Sequence, residues 1–414
     1  MSVLGRVSLI TLAQSYTQVE VVWGNPSLKL QQGLGVWAEK PPKLLRFKYH
    51  QPASNMKGSR YLIALLLCLL SAPLLLNAQQ QDTVKTVFQY LQRDSGELEA
   101  TIVTDFKRLF RKKYDRKYID GIFIFKNEKG EVDTMKVEVR TRGNARLKVC
   151  NVPPLKVKFS KKELRKRNLA EEPNSIKMVL GCRNSDTYQQ YLLREYLAYK
   201  LSNLLSDYSY RTQLLRMKFV DPKSKREPDA GFAFFIEPDD EMAARNKGKI
   251  ASNRVVSTRL LNTDETERFA FFQFMIGNTD WYLYNGHNIV LLAVQNGDQV
   301  KIIPIPYDFD YSGFVNAPYA VVNEKLPMEE VTERYYQGYC RRPSQTRETV
   351  SYYLSKKEAM LTMAREFPYF DKDSKRHCTS YLESFFETIE NERLLKQEIL
   401  NHCDKWLKRV EGKN

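Results

Sequence analysis

Residues 276–314 read IGNTDWYLYNGHNIVLLAVQNGDQVKIIPIPYDFDYSGF. Two apolar, β-prone runs in this stretch, 287–293 and 300–305, flank the turn-forming segment 295–298, and this pattern predicts a β-hairpin. Four oxygen-bearing side chains flank the hairpin: Asp280 and Asn288 at its entrance, and Asp308 and Asp310 at its exit. Because the entrance and exit of a hairpin meet at one end, these side chains can lie side by side. Clustered oxygens of this kind are what a hard cation such as Mg²⁺ requires.

The order of these residues resembles that of the spore-coat-protein-H (CotH) kinase-like family and, more distantly, of HipA-like kinases. The resemblance implies that Asp280 orients the attacking hydroxyl, whereas Asn288 and Asp308 hold the Mg²⁺ that bridges the phosphates of ATP and Asp310 assists them. Kinase loops usually place the asparagine five residues after the aspartate, which is Asn285 here. Asn288 instead directly precedes the strand, as the metal-binding asparagine should. We therefore prefer Asn288 and keep Asn285 as the alternative.

A leader-like segment lies inside the chain of 414 residues, at 56–78, with the sequence MKGSRYLIALLLCLLSAPLLLNA. Basic residues, an apolar run and a small final residue, in that order, predict a secretory signal peptide that is cleaved after Ala78. A signal peptide acts at the N-terminus, so we expect Met56 to be the true start and 1–55 to be an upstream extension. The alternative is an internal membrane anchor that follows a cytoplasmic segment.

The formal net charge of the chain is +16, but its basic residues are spread among acidic ones. No nucleic-acid-binding module is recognisable, so we expect a solvated basic face and no nucleic-acid partner. The six cysteines form no Cys-x-x-Cys pair, which argues against zinc ribbons and thioredoxin-like chemistry.

Export makes disulfides permissible. Cys150 and Cys182 each adjoin a predicted strand of the same sheet, so we predict that they form a disulfide. The competing possibility is a pairing among Cys340, Cys378 and Cys403.

The N-terminal half has the alternating patterns of a sheet. Strands are predicted at 98–104, 118–125, 134–142, 155–159, 176–180, 213–220 and 231–237. A turn, Arg142-Gly143-Asn144, follows the third of them and precedes a lysine-rich strand, as it does in CotH-like sequences. The resemblance implies that Arg142 and Gly143 bind nucleotide phosphates, since a glycine turn can bring backbone N–H groups close to them. The alternative is a tight turn with no further role.

A helix is predicted at 187–204, with Glu195 on its apolar stripe. A carboxylate on a buried face needs a partner. The kinase-like resemblance implies a strand lysine that also contacts the nucleotide, and Lys158 is our first choice, with Lys156 and Lys177 as alternatives. An ordinary ion pair of Glu195 with Arg194 or Lys200 is the other possibility. Three more helices are predicted, at 264–275, 345–367 and 375–410.

The resemblance implies an α+β, two-lobed protein-kinase-like fold with a sheet-rich N-terminal lobe at 79–237 and a mainly helical C-terminal lobe at 238–414. The function it implies is that of an exported, Mg²⁺-dependent atypical kinase, which transfers the γ-phosphoryl group of ATP to a hydroxyl of an extracytoplasmic protein. We expect a periplasmic, cell-surface or secreted protein with no stable membrane span after signal cleavage.

Two other functions remain open. One is a catalytically inactive relative that serves as a binding module of the cell envelope. The other is a transferase that uses Asp308-Phe309-Asp310 as a nucleotide-sugar metal motif, although that function leaves Asp280 and Asn288 unexplained.

Overall fold

The structure is a computed structural model that describes residues 84–224, 229–251, 258–283, 286–338 and 340–403. These residues belong to one compact unit, Gln81–Asn414. The predicted extension at 1–55 and the signal peptide at 56–78 lie outside the described residues. Among the described helices, none has the length and apolar character that crossing a bilayer requires.

Seven strands in the first half of the described chain close into a barrel. They are β1 (Leu98–Thr104), β2 (Ile119–Lys126), β3 (Val132–Thr141), β4 (Leu155–Phe159), β5 (Ser175–Leu180), β6 (Thr212–Val220) and β7 (Asp229–Ile236). The order around the barrel is β1-β2-β3-β4-β5-β7-β6. All neighbouring pairs are antiparallel except β1 and β6, whose parallel register pairs Leu98 with Leu215 and Val103 with Val220.

The barrel closes because alternate residues of every strand are apolar and point inward, where they fill the interior. Phe123 lies at the centre of this core, with ring centroids 5.6 Å from Phe125 and Phe159 and 5.9 Å from Phe235. Closure also pairs the backbone groups of both outer strands, which an open sheet would leave exposed.

The predicted two-lobed, protein-kinase-like fold is wrong. The strands themselves are close to their predicted positions, but β6 returns to pair with β1, so the sheet is a closed barrel and not an open sheet-rich lobe. The predicted boundary between 79–237 and 238–414 stays a prediction, although β1 to β7 all end before Glu237.

A second sheet of three antiparallel strands follows the barrel. Its strands are β8 (Gly248–Ile250), β9 (Ile289–Asn296) and β10 (Gln299–Pro306), with β9 in the middle. The β9–β10 pair confirms the predicted hairpin, because Pro306 is registered with Ile289 and Gln299 with Asn296.

Helices surround the barrel and this sheet. The described α-helices are α1 (Val87–Leu91), α2 (Phe106–Arg111), α3 (Ala145–Val149), α4 (Lys161–Lys166), α5 (Asp186–Leu205), α6 (Asp239–Arg245), α7 (Thr263–Met275), α8 (Pro343–Arg365), α9 (Lys372–Glu390) and α10 (Glu392–Leu395). Apolar residues on the outer faces of β6 and β7, such as Leu214 and Phe234, share one core with α5, α7, α8 and α9. Helix α5 therefore lies between the barrel and the rest of the unit.

Two disulfides fasten the fold. Cys150 and Cys182 are bonded as predicted, with their Cα atoms 4.7 Å apart. Cys340 is bonded to Cys403, with a Cα separation of 5.0 Å. Cys378 is buried and is the free cysteine of the described part of the chain. Two disulfides fit a protein of an oxidising, extracytoplasmic compartment.

Candidate functional site

The open end of the β9–β10 hairpin brings its entrance and exit together. The backbone N–H of Tyr307 donates to the carbonyl of Asn288 at 3.2 Å, one step beyond the last registered pair of the two strands. Both Asn288 and Asp308 have a left-handed backbone, with φ of 52° and 65°. Asn and Asp tolerate this conformation better than other residues with a Cβ, so these residue types suit the bends at both ends of the hairpin.

Two glycines hold the segments on either side of the hairpin against each other. The N–H of Gly313 donates to the carbonyl of Gly277 at 3.1 Å. A Cβ would lie 2.0 Å from the Tyr381 hydroxyl if added at Gly277, and 2.4 Å from it if added at Gly313. The close approach of Tyr381 from α9 therefore requires glycine at both positions, and it fixes where the chain enters and leaves the site.

Asp280 is oriented by its neighbours in the loop after α7. Its backbone N–H donates to the side chain of Asn278 at 3.0 Å. The side-chain amide of Asn288 donates to the carboxylate of Asp280 at 2.9 Å and to its backbone carbonyl at 2.8 Å. His287 Nε2 lies 2.9 Å from the other carboxylate oxygen. The carboxylate stays partly open to solvent, with 37% of the side-chain surface exposed, so an incoming group can reach it.

The Asp308-Phe309-Asp310 segment is anchored by its central ring. Phe309 is fully buried, and its ring centroid lies 4.5 Å from that of Tyr199 on α5 and 5.3 Å from that of Phe272 on α7. The backbone N–H of Asp308 donates to the Tyr199 hydroxyl at 3.0 Å. Burial of the ring thus holds a carboxylate on each side of it in a fixed place.

Glu195 faces the same place from α5 and pairs with Arg146 of α3. Arg146 Nη1 lies 3.2 Å from Glu195 Oε2, and Nη2 donates to the carbonyl of Leu180 at 2.7 Å. Arg146 Nε lies 3.7 Å from Asp310 Oδ2, which is too long for a hydrogen bond. Three buried atoms here, Arg146 Nε, Glu195 Oε1 and Asp310 Oδ2, consequently lack a hydrogen-bond partner.

The cluster holds more carboxylates than cations. Burial raises the pKa of Asp310 above its usual range, and the charge of Asp308 adds to that effect against the opposing charge of Arg146. Burial likewise raises the pKa of Glu195, again against Arg146. Burial disfavours the charge of Arg146, yet Tyr319 and the surrounding carboxylates raise its pKa above the ordinary value, so it stays protonated. One arginine thus faces several carboxyl groups, and a further cation would favour their ionised forms.

The predicted pairing of a strand lysine with Glu195 is wrong. Lys158 lies on the outer face of β4, because Val157 and Phe159 take the inward positions, and it pairs with Glu138 at 2.7 Å. Lys177 pairs with Asp239 at 2.8 Å. Among the described residues, the ion-pair partner of Glu195 is Arg146, and neither Lys156 nor the alternatives Arg194 and Lys200 fill that role.

Arg142 and Gly143 lie in the turn between β3 and α3. The charge of Arg142 reaches both Tyr199 and Tyr307, which adjoin Asp308, and it lowers their pKa values against the dominant effect of burial. Its guanidinium makes no ion pair or hydrogen bond with another described residue. Gly143 has φ of 90°, and no atom lies within 4 Å of a Cβ built there, so this turn is open to an approaching group.

Sequence reasoning missed two residues of the cluster. Arg146 ends the RTRGNAR segment, four residues after Arg142, and lies in the short helix α3. The signal in the sequence was this second arginine close to the glycine turn. Tyr319 faces the carboxyl of Asp310, and its ring lies 5.9 Å from the Arg146 guanidinium. No periodicity marks Tyr319, because it follows the hairpin in a segment without regular structure. The alternative metal ligand Asn285 lies outside the described residues.

No group of three or more His, Cys, Asp or Glu side chains among the described residues is arranged to hold a metal ion. A cavity of about 780 Å³ lies elsewhere, at one end of the barrel, and shares no lining residue with this cluster.

No family model matches the chain, and no curated protein matches it.

Proposed function

We propose that the protein is an exported, Mg²⁺-dependent phosphotransferase that moves the γ-phosphoryl group of ATP to a hydroxyl of an extracytoplasmic protein. The observation that carries this proposal is the convergence of Asp308, Asp310 and Glu195 around Arg146, next to the Asn288-bound Asp280. The motif order that resembles the CotH kinase-like family supports the same chemistry. The proposal concerns the site, and it does not depend on a kinase-like fold.

The donor set fits Mg²⁺ of the kind that binds through a substrate. Mg²⁺ commonly takes one or two carboxylates, completes its shell with waters and phosphate oxygens, and seldom uses an all-protein cage. Asp308 and Asp310 would supply the carboxylates, and Asn288 would supply the amide oxygen. The buried Asp310 Oδ2 without a hydrogen-bond partner supports this assignment. When bound, Mg²⁺ neutralises charge on the phosphates of the nucleotide.

The chain's own residues take separate roles in the proposal. Asp280 orients the acceptor hydroxyl and accepts its proton, since its carboxylate is partly exposed and is held by Asn288. Arg142 attracts the phosphates from the turn after β3. The Glu195–Arg146 pair positions Asp310, and Lys158 has no part because Glu138 holds it elsewhere. Catalysis of this kind is mostly positioning and charge stabilisation, so each fixed group counts.

Transfer of labelled phosphate tests the proposal. The purified mature protein is incubated with γ-labelled ATP, MgCl₂ and an extracytoplasmic protein extract from its host, and labelled protein is measured. Asp308→Asn and Asp280→Asn should each lower transfer by about 10²-fold or more, the scale of one lost charge stabiliser. Asp298→Asn is the matched control, because it makes the same change at the exposed tip of the same hairpin. Equal activity of all three variants would refute the assignment.

A binding module without turnover is the second candidate, and one observation favours it. Both carboxylate oxygens of Asp280 already have partners, Asn288 and His287. If the wild type binds Mg²⁺–ATP but transfers no phosphate, and Asp308→Asn abolishes that binding, the binding module is the correct function.

A further inference from the structure

A cavity of about 780 Å³ opens at one end of the barrel. The ends of β5 and β6 and the start of β7 border it, together with α2 and the segments beside the Cys150–Cys182 disulfide. Its volume lies in the range of small-molecule sites, about 300–1,000 Å³, and barrel mouths are common places for such sites. None of its lining residues belongs to the group of carboxylates around Arg146, so a ligand bound in this cavity would occupy a different site.

The floor of the cavity is apolar and aromatic. Phe106 and Phe110 of α2 line it with their ring centroids 5.6 Å apart, and the ring of Phe219 lies 5.7 Å from that of Phe106. Val152 and Leu180 complete this surface. The barrel interior below is filled by its own side chains, so a ligand here would lie at the mouth and not within the barrel.

The rim of the cavity is basic and only partly neutralised. Lys107 and Arg183 line it, both are exposed, and neither makes an ion pair with another described residue. Lys223 does have a partner, Asp105 at 2.8 Å. Asp221 also lines the cavity, and its carboxylate accepts the backbone N–H groups of Lys107 and Lys223, both at 2.9 Å. Among the described lining residues, three basic side chains thus face one carboxylate, and the rim keeps a net positive charge.

A polar side chain stands between the floor and the rim. Gln189 of α5 uses its carbonyl oxygen to accept the backbone N–H of Phe232, and its Nε2 donates to no described residue. A Cβ added at either Gly181 or Gly231 would lie 2.8 Å from this amide, so the two glycines give Gln189 the space to reach the cavity wall. Its free N–H groups can donate to an anionic group at the rim.

We propose that this cavity binds an amphipathic carboxylate, with the apolar body against the phenylalanines and the carboxyl group between Lys107, Arg183 and Gln189. The charge complementarity of the rim and the apolar floor select this class over neutral lipids and cations. Fatty acids and aromatic acids share this chemistry, and the test separates them. The proposal is independent of the proposed phosphotransferase activity.

Isothermal titration of the full mature protein with dodecanoate, below its micelle concentration, tests the site. We expect saturable binding of one dodecanoate per chain, and competition by 2-naphthoate shows whether aromatic acids share the site. Lys107→Glu combined with Arg183→Glu should weaken binding about tenfold, since charge reversal at both positions replaces attraction of the carboxylate by repulsion. Arg108→Glu is the matched control, because Arg108 is exposed on the same helix but does not line the cavity.

Three results would overturn the proposal: no saturable binding of either acid, equal loss of affinity in the control variant, or equal binding of dodecyltrimethylammonium. Phe110→Ser supplies a second check, because it removes apolar contact from a half-buried position. Phe110→Ser should weaken dodecanoate binding. The Lys107→Glu/Arg183→Glu protein should keep the wild-type unfolding temperature, which shows that its loss of affinity is not a loss of folding. Unchanged affinity in Phe110→Ser would place the bound acid outside this cavity.

Discussion

Arg146 of α3 lies 3.2 Å from Glu195 of α5, and both side chains are almost completely buried. This ion pair joins the segment after β3 to the helix that separates the barrel from the rest of the unit. Removing one partner of a buried ion pair leaves an uncompensated charge, which is more damaging than removing both partners.

Arg146→Met should therefore lower the free energy of unfolding by about 3–5 kcal/mol. The double variant Arg146→Met/Glu195→Leu should recover part of that loss, because it removes the unpaired Glu195 but leaves the buried Asp310 without the nearby arginine. Urea denaturation of the wild type and the variants measures both effects. The free energy of unfolding of Arg146→Lys should lie between those of the wild type and Arg146→Met, since one ammonium cannot reproduce the guanidinium's contacts with both Glu195 and Leu180. A loss below about 1 kcal/mol in Arg146→Met would contradict the structural role of the pair.

Asn288→Asp should damage the site without unfolding the protein. Aspartate tolerates the left-handed backbone at this position, but it loses the amide that donates to Asp280 and sets a second carboxylate beside it. We expect phosphoryl transfer to fall by about 10²-fold while thermal stability changes by about 1 kcal/mol. Calorimetry and the labelled-phosphate assay measure these two quantities. Asn296→Asp, at the exposed far end of the same strand, controls for the added charge.

The strands show what local sequence patterns can and cannot predict. Strands β1 and β4 have their predicted bounds, because alternation between apolar and polar residues is a property of neighbours in sequence. Closure of the barrel depends on pairing Leu98 with Leu215, and no local pattern reports a contact between segments so far apart. The kinase-like fold was inferred from the order of the site residues, and that order is compatible with more than one arrangement of the preceding strands.

Only part of the candidate site, likewise, could be predicted from the sequence. The hairpin and the burial of Glu195 were predictable from periodicity, since both follow from residue spacing within one element. The partner of Glu195 was not, because it depends on where the short helix α3 places Arg146 relative to α5, and no local pattern reports that contact.

Glu241 should make the protein less stable as the pH rises. Burial raises the pKa of Glu241 to about 7, and the charge of Glu237 adds to this against the opposing hydrogen bond from Thr86. The folded state therefore holds this proton more tightly than the unfolded state does. Stability from this group is complete below the unfolded pKa, near 4.5, and is lost as the pH rises through about 7.

Glu241→Gln should flatten that dependence while keeping an acceptor for Thr86. Between pH 5 and pH 8 the wild type should lose on the order of 3 kcal/mol or less from this group, and the variant should lose none of it. Urea denaturation at both pH values measures the difference. Glu358→Gln is the control, because 78% of that side chain is exposed. Identical pH profiles for the wild type and Glu241→Gln would show that the group is not buried as described.

Loss of the Cys340–Cys403 disulfide should cost about 2–4 kcal/mol of unfolding free energy. The bond closes a loop with a sequence separation of 63, and such a loop limits the conformations of the unfolded chain. The double variant Cys340→Ser/Cys403→Ser, compared with the wild type by urea denaturation, tests this. Addition of a reducing agent should destabilise the wild type further than the variant, which retains only the Cys150–Cys182 bond among the described pairs. Equal stability of both proteins before reduction would argue against the bond.

The parallel pairing of β1 with β6 also governs how the chain is completed during synthesis. Strands β1 to β5 can form a meander as they emerge. Strand β1 gains its second neighbour only when β6 (Thr212–Val220) has been made, and β5 gains its second neighbour only when β7 (Asp229–Ile236) has been made. Until then the nascent chain carries two open sheet edges, to which strands of other chains can add. Fragments that end before β7 should consequently aggregate, and a holding chaperone would protect the unfinished chain until the barrel closes.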